Sequence, residues 1–190
     1  LNNDKSIEEN NKVYIPTRDV FEVLDLKARA INKAGKVKMV EKENIKDIEN
    51  YEDLGPFRIF AFEGIEVGSE VEYIYTLHKL PSLFGTETFQ DDVLKKDVEI
   101  IIVSPENLKF SSKLYNIPQE PKVYDENGKN FIHVKVEVVP LLKDERYAAY
   151  NAHLQRLEYK LSKNTFKSGK ELFPFSEAAT RIWEDLMDLS

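Results

Sequence analysis

Residues 60–80, FAFEGIEVGSEVEYIYTLHKL, constrain the fold more than any other stretch of the chain. Before Gly64, Ile59 and Ala61 alternate with Phe60 and Phe62; after Gly68, Val71, Tyr73, Tyr75 and Leu77 alternate with Glu72, Thr76 and His78. A side-chain period of two belongs to a strand with one face covered. Val67-Gly68-Ser69-Glu70 separates the two runs, and glycine takes the positive φ of a tight turn at no steric cost. The expectation is a β-hairpin at the centre of a β-rich core. Ser69 stands outside the G-x-S-x-G pattern of a nucleophile elbow and is assigned to turn geometry.

The same period recurs along the chain. Residues 1–12, LNNDKSIEENNK, carry too little apolar surface to offset the entropy of ordering and read as a linker or frayed end. Strand signals begin at Val13. A long strand over 20–31 is followed by a turn at 32–36 and a returning partner over 37–40, and 41–53 read as an irregular connection or edge strand. Val98 to Val103, the most apolar run, is closed by Pro105 and fits a strand buried on both faces. Asn127-Gly128 is a strong hairpin signal, and the strand after it sets Ile132, Val134, Val136 and Val138 against Phe131, His133, Lys135 and Glu137. Residues 147–161 match helical and strand spacing alike; a loop or helical turn and then a strand over 156–161 are expected. After a connection over 164–174, Ser176 sits where an N-cap belongs, opening a terminal helix with Ala179, Ile182, Trp183, Leu186 and Leu189 on one face. The expected fold class is mainly β, an antiparallel β-sandwich over 13–162 with a short C-terminal helix.

Charge and composition exclude several functions. The chain has 34 acidic and 27 basic residues, intermixed, whereas a phosphate-tracking surface needs a net basic stripe, so nucleic acid is not an expected partner. No run approaches the roughly 18 apolar residues of a membrane-spanning helix. With no cysteine, these residues hold no disulfide, thiolate metal site or cysteine nucleophile. His78, His133 and His153 lie in separate segments without ligand spacing. Glu63/Glu66, Glu70/Glu72 and Asp91/Asp92 are pairs that 34 carboxylates produce by chance, and they read as solvated strand faces. No catalytic, cofactor-binding or metal-binding residue is assigned, and no cofactor is expected. Candidates for contact with a partner are Phe84 and Phe89, in the connection over 81–92, and Trp183. The competing use of the two phenylalanines is to fold back and cap an open end of the sandwich. Tyr73, Tyr75, Tyr124, Tyr147, Tyr150 and Tyr159 would suit a glycan-binding face, with cross-strand packing as their plainer use.

The run 56–63, PFRIFAFE, followed by 66–75, EVGSEVEYIY, resembles domain-of-unknown-function family 3857. So do Ala28-Arg29-Ala30 with its Ala34-Gly35-Lys36 turn, the Phe89 loop, and residues 100–105 leading into Leu108. The resemblance spans roughly 13–162. It implies a mostly-β, sandwich-like, non-catalytic domain upstream of a transglutaminase-like, papain-like core in bacterial envelope proteins. It further implies a periplasmic or cell-envelope location, with the signal peptide outside this sequence. Residues 163–190 would then be the connection and helix leading into that core, and the core would be the partner of this domain. The expected function is a structural or interaction module that docks to or positions the downstream domain, not an enzyme. The alternative is a carbohydrate- or peptide-binding sandwich that uses an exposed aromatic face.

Overall fold

In a computed structural model, which describes residues 1–143 and 149–165, the alternating stretches become strands of four three-stranded antiparallel sheets. Two sheets fall in each of two compact units, Leu1–Pro81 and Ser82–Ser190. The chain is mainly β and sandwich-like, and the span 13–162, read above as one domain, crosses the division between the units. The terminal helix expected from Ser176 lies outside the described residues. Among the described residues no helix is long and apolar enough to cross a membrane.

The first unit holds α1 (Asp4–Asn10), β1 (Lys12–Pro16), β2 (Val20–Ile31), β3 (Val37–Met39), β4 (Lys46–Ile48), β5 (Phe57–Ala61) and β6 (Glu70–Lys79). One sheet has the order β1-β5-β4 and the other β3-β2-β6. Residues 4–10, expected as part of a linker, form a helix because Asn3 and Ser6 close a capping box at its start; none of its residues is buried. The strand, turn and partner expected over 20–40 are present as β2 and β3.

The central hairpin is not formed. β5 pairs with β1 and β4, while β6 pairs with β2, so residues 62–69 carry the chain from one sheet to the other. A direct hairpin needs a loop of two to five residues, and this connection is longer. The two apolar runs meet face to face instead. The buried Phe60 ring packs edge-on against Phe62 at 5.6 Å and against Tyr73 of β6 at 6.1 Å. Ile15, Ala28, Ala30 and Phe62 complete the buried cluster.

The second unit holds β7 (Phe84–Thr88), β8 (Lys95–Pro105), β9 (Leu108–Tyr115), β10 (Lys122–Glu126), β11 (Lys129–Val139), the four-residue helix α2 (Tyr150–His153) and β12 (Arg156–Asn164). Its sheets have the orders β10-β11-β8 and β7-β12-β9. Phe89, Val134, Val139 and Leu157 form the buried cluster, with Val98, Ile100, Ile102 and Leu114 against it. The β10–β11 hairpin forms at Asn127 and Gly128, both at positive φ (51° and 72°), as Asn-Gly requires. β8 departs from expectation. It is an edge strand covered on one face, and Ile101 and Val103 are each 49% exposed. Composition marks a strand as apolar but not which faces are covered. On β11, Val138 turns outward (54% exposed) and Val139 inward, beside a break in the ladder where Asp97 takes a φ of 52° opposite Glu137.

The crossover at 62–69 rests on Gly68, at φ 95°, and on the buried Ser69, whose Oγ accepts the Glu66 N–H at 2.9 Å. A valine at position 68 would be forced into a conformation that β-branched residues avoid. Gly68→Val is expected to lower the unfolding free energy by about 2 kcal/mol. Ser69→Ala, which orphans the Glu66 N–H, should cost about 1 kcal/mol. Urea denaturation with unchanged m-values checks both.

Candidate functional site

The β7-β12-β9 sheet separates its two jobs by side-chain parity. Leu157 of β12 is fully buried, so its neighbours Arg156, Glu158 and Lys160 take the opposite face. Register then brings three cross-strand rows onto that face: Thr88–Arg156–Tyr115, Thr86–Glu158–Lys113 and Phe84–Lys160–Ser111. A shallow groove of about 430 Å³ runs along the second and third of these rows and reaches Tyr115 of the first; Thr88 and Arg156 do not line it.

The groove is lined by Lys113, Lys160 and Glu158, and Arg156 stands beside it. The Arg156 guanidinium lies 4.2 Å from the Tyr115 ring centroid and the Lys113 ammonium 4.8 Å from it, so both press on one aromatic ring. Arg156 Nε donates to Glu158 Oε1 at 2.9 Å and Nη1 to the Asn151 carbonyl at 3.0 Å, which fixes the guanidinium. Across β7, β9 and β12 there are five lysines and arginines against two carboxylates, in a chain whose net charge is −7. Glycine at position 85 makes room for Tyr159: a Cβ there would stand 2.6 Å from the Tyr159 hydroxyl, and the ring would have to move. Lysines, hydroxyls and the exposed Phe84 ring therefore share the groove.

The expected contact residues are not brought together. Phe84 is 75% exposed at the rim of the groove, whereas Phe89 is fully buried. The Phe89 N–H donates to the Gln155 carbonyl at 2.9 Å, extending the β7–β12 ladder and turning its ring into the core. Phe89 is therefore a core residue and not part of an exposed surface. Trp183 lies outside the described residues. The tyrosines do not form one face. Tyr73 and Tyr75 stack on β6 of the first unit. Tyr124 stacks on Phe131 in one sheet of the second unit, and Tyr159 packs near Phe110 in the other. Tyr150 lies on α2, and Tyr147 is outside the described residues.

The remaining candidates sit in local pairings. His78 packs near Phe21 on the first unit, while His133 contacts Glu99 at 2.6 Å on the second and His153 ends α2. Among the described residues no group of three carboxylates or histidines is placed to hold a metal ion. Glu63 pairs with Lys38, Glu72 with Arg29 and Asp91 with Lys95. In the first unit, Arg58 grips Asp47 of the adjacent strand through two bonds of 2.7 and 2.8 Å, and this hydrogen bonding holds the Asp47 carboxyl below its ordinary range.

Lys113, Tyr115 and Arg156 drew no attention in the sequence. Their only trace there is the polar half of the alternation in SSKLY and RLEYK.

Comparisons with known proteins place the chain. A family model described as a domain of unknown function with a solved structure, DUF3857, matches residues 1–142. No curated protein matches. A crystal structure of a protein from Parabacteroides distasonis, provisionally assigned as a protease, shares the fold with a TM-score of 0.69 at 15% identity. The match covers 84% of this chain and 34% of that one, so this chain spans about a third of that protein's length.

Gly85→Ala is expected to cost about 1–2 kcal/mol by displacing the Tyr159 ring, and far less in a Tyr159→Ala background. A double-mutant cycle by urea denaturation measures the coupling. Asp47→Asn should cost at most about 1 kcal/mol at neutral pH, because the Asp47 side chain is solvent-exposed. A depressed carboxylate stabilises above its unfolded pKa and loses that contribution as pH falls through the folded value. The unfolding curves of the wild type and the Asp47→Asn variant should therefore converge below pH 3.8.

Proposed function

We propose, from the premise that this chain belongs to the DUF3857 family, that it is a non-catalytic structural and interaction module. It docks to or positions a transglutaminase-like, papain-like domain further along the same polypeptide, in an exported bacterial protein of the periplasm or cell envelope. The observation that carries this reading is the unequal coverage of the shared fold. It takes in most of this chain but only 34% of a longer protein that is provisionally assigned as a protease.

Buried polar side chains bonded to the scaffold support it; Gln155 Oε1 is a buried oxygen without a partner among the described residues. The Asn130 amide donates to the Pro105 and Leu108 carbonyls, each at 2.9 Å, the Ser104 hydroxyl to Leu108, and the Gln90 amide to Pro140. These bonds tie turns and strand ends together. A second reading, peptide or glycan binding, is favoured by the groove on β7-β12-β9, where cations, hydroxyls and Phe84 share one face.

The test compares the full-length gene product with a version lacking residues 1–165. Amide exchange over the downstream domain should rise on removal, and its turnover of a peptide substrate should drop by about tenfold, equivalent to about 1.4 kcal/mol of lost positioning. Unchanged exchange and unchanged turnover would rule out docking. Turnover of a peptide, ester or glycoside by residues 1–190 alone would overturn the non-catalytic assignment.

A further inference from the structure

We infer that the open edge of β9 takes up an extended polypeptide segment of alternating acidic and apolar residues as a fourth strand of the β7-β12-β9 sheet, laid over Val123 of β10. Such a segment is distinct from the downstream domain proposed above, and loss of either contact leaves the other in place.

The ladder itself decides which groups of β9 are open. The Leu161 N–H donates to the Leu83 carbonyl and the Phe89 N–H to the Gln155 carbonyl, so the odd-numbered residues of β12 point their backbone groups at β7. The even-numbered ones, Arg156, Glu158 and Lys160, turn theirs to Tyr115, Lys113 and Ser111 of β9. Phe110, Ser112 and Leu114 therefore direct their N–H and C=O away from β12, and β9 is the last strand of its sheet. The Leu108 carbonyl, at the start of that row, is taken by the Ser104 hydroxyl and the Asn130 amide. Beyond it, among the described residues, the outward groups of Phe110, Ser112 and Leu114 have no partner. Such a row is a template for an added strand.

The facing sheet is unfinished on the same side. β9 and β10 meet across a cleft of about 160 Å³ whose lining includes Phe110, Val123, Tyr124 and Ile132. Val123 stands directly opposite Ile132 in the β10–β11 ladder, and directly opposed residues share one face of a sheet. Ile132 is 4% exposed, yet Val123 is 65% exposed. A core-side valine is thus left uncovered where the β7-β12-β9 sheet stops at β9. An added strand extends that sheet over it, and its inward positions are apolar for that reason.

Charge sets the outward positions. β9, LKFSSKLY, carries Lys109 and Lys113 and no carboxylate. Lys113 rests on the Tyr115 ring and makes no ion pair among the described residues; its cross-strand neighbour Glu158 is bonded to Arg156. By parity both lysines take the outer face, at positions that do not exchange backbone bonds with the new strand, where opposed side chains come closest. Carboxylates on the incoming strand meet them there, on the side away from Asp125, which shares the core side with Val123. A second copy of this chain does not fit, since two paired β9 edges would set the lysines of both copies side by side on one face.

The probe is a fluorescein-labelled peptide of about nine residues alternating glutamate and valine, titrated into the 190-residue chain and followed by anisotropy. The controls are its lysine–valine counterpart and a peptide of the same composition with glutamates and valines in separate blocks. The alternating acidic peptide should bind, and both controls should bind at least about tenfold more weakly. Lys113→Glu should weaken binding by about tenfold, and so should about 1 M salt, where the screening length is about 3 Å. Val123→Ser should weaken it by about fivefold with the thermal midpoint nearly unchanged, because that side chain is covered only in the complex. Hydrogen exchange on the unaltered chain gives a readout that depends on no variant: the Ser112 and Leu114 amides should gain protection when peptide is added. Absence of that protection, equal binding of either control, or unchanged affinity in both Lys113→Glu and Val123→Ser would each overturn the inference.

Discussion

Each unit depends on one large aromatic ring closed between two small sheets. A three-stranded sheet has one apolar face and no means of covering it alone, so it is stable only when another layer lies on it. Phe60 does this in the first unit, among aliphatic residues and the rings of Phe62 and Tyr73, and Phe89 in the second, among aliphatic residues from both sheets. Truncating a buried phenylalanine typically costs about 3–5 kcal/mol, a large fraction of the stability of a small domain. The strand register, the turn at Gly68 and the outward display of polar side chains all follow from keeping those two rings covered.

Covering one face commits the other. On β12, burial of Leu157 and Leu161 requires Arg156, Glu158 and Lys160 to face out, and on β9 the same parity exposes Lys113. The cations gather on the β7-β12-β9 sheet while the chain as a whole is acidic, and this segregation arises because three distant segments are paired in one register. Buried polar side chains such as Ser69 and Asn130 serve turns and strand ends, so the polar chemistry of this sheet is displayed on its outer face. The proposed interaction module draws on that display.

Much of the strand content was legible from side-chain period alone. β2 and β3 with their turn, the Asn-Gly hairpin between β10 and β11, and the strand beginning at Arg156 follow from local patterns that encode local structure. The central hairpin was not legible, because two amphipathic strands separated by a glycine-bearing turn satisfy a hairpin and a sheet-to-sheet crossover equally well. Phe84 and Phe89 were indistinguishable in a polar connection; only the pairing of residue 89 with Gln155 separates a rim residue from a core residue. Ile101 and Val103 looked like buried residues because an apolar run does not say which of its faces has a neighbour. The groove was invisible for a related reason. Its rows join residues 84–88, 111–115 and 156–160, and nothing in a linear sequence says which strands will be adjacent.

By itself, the sequence determined the class of structure, the place of the tight turns and the want of any thiol chemistry. These depend on side-chain period, on backbone freedom at glycine and asparagine, and on the absence of cysteine, all of which are local or compositional. Tertiary structure alone decided which strands share a sheet, which of two phenylalanines is covered, and that scattered cations of an acidic chain line one face of a sheet. Those outcomes depend on contacts between segments far apart in the chain, and their energies exist only once the apolar faces have found each other.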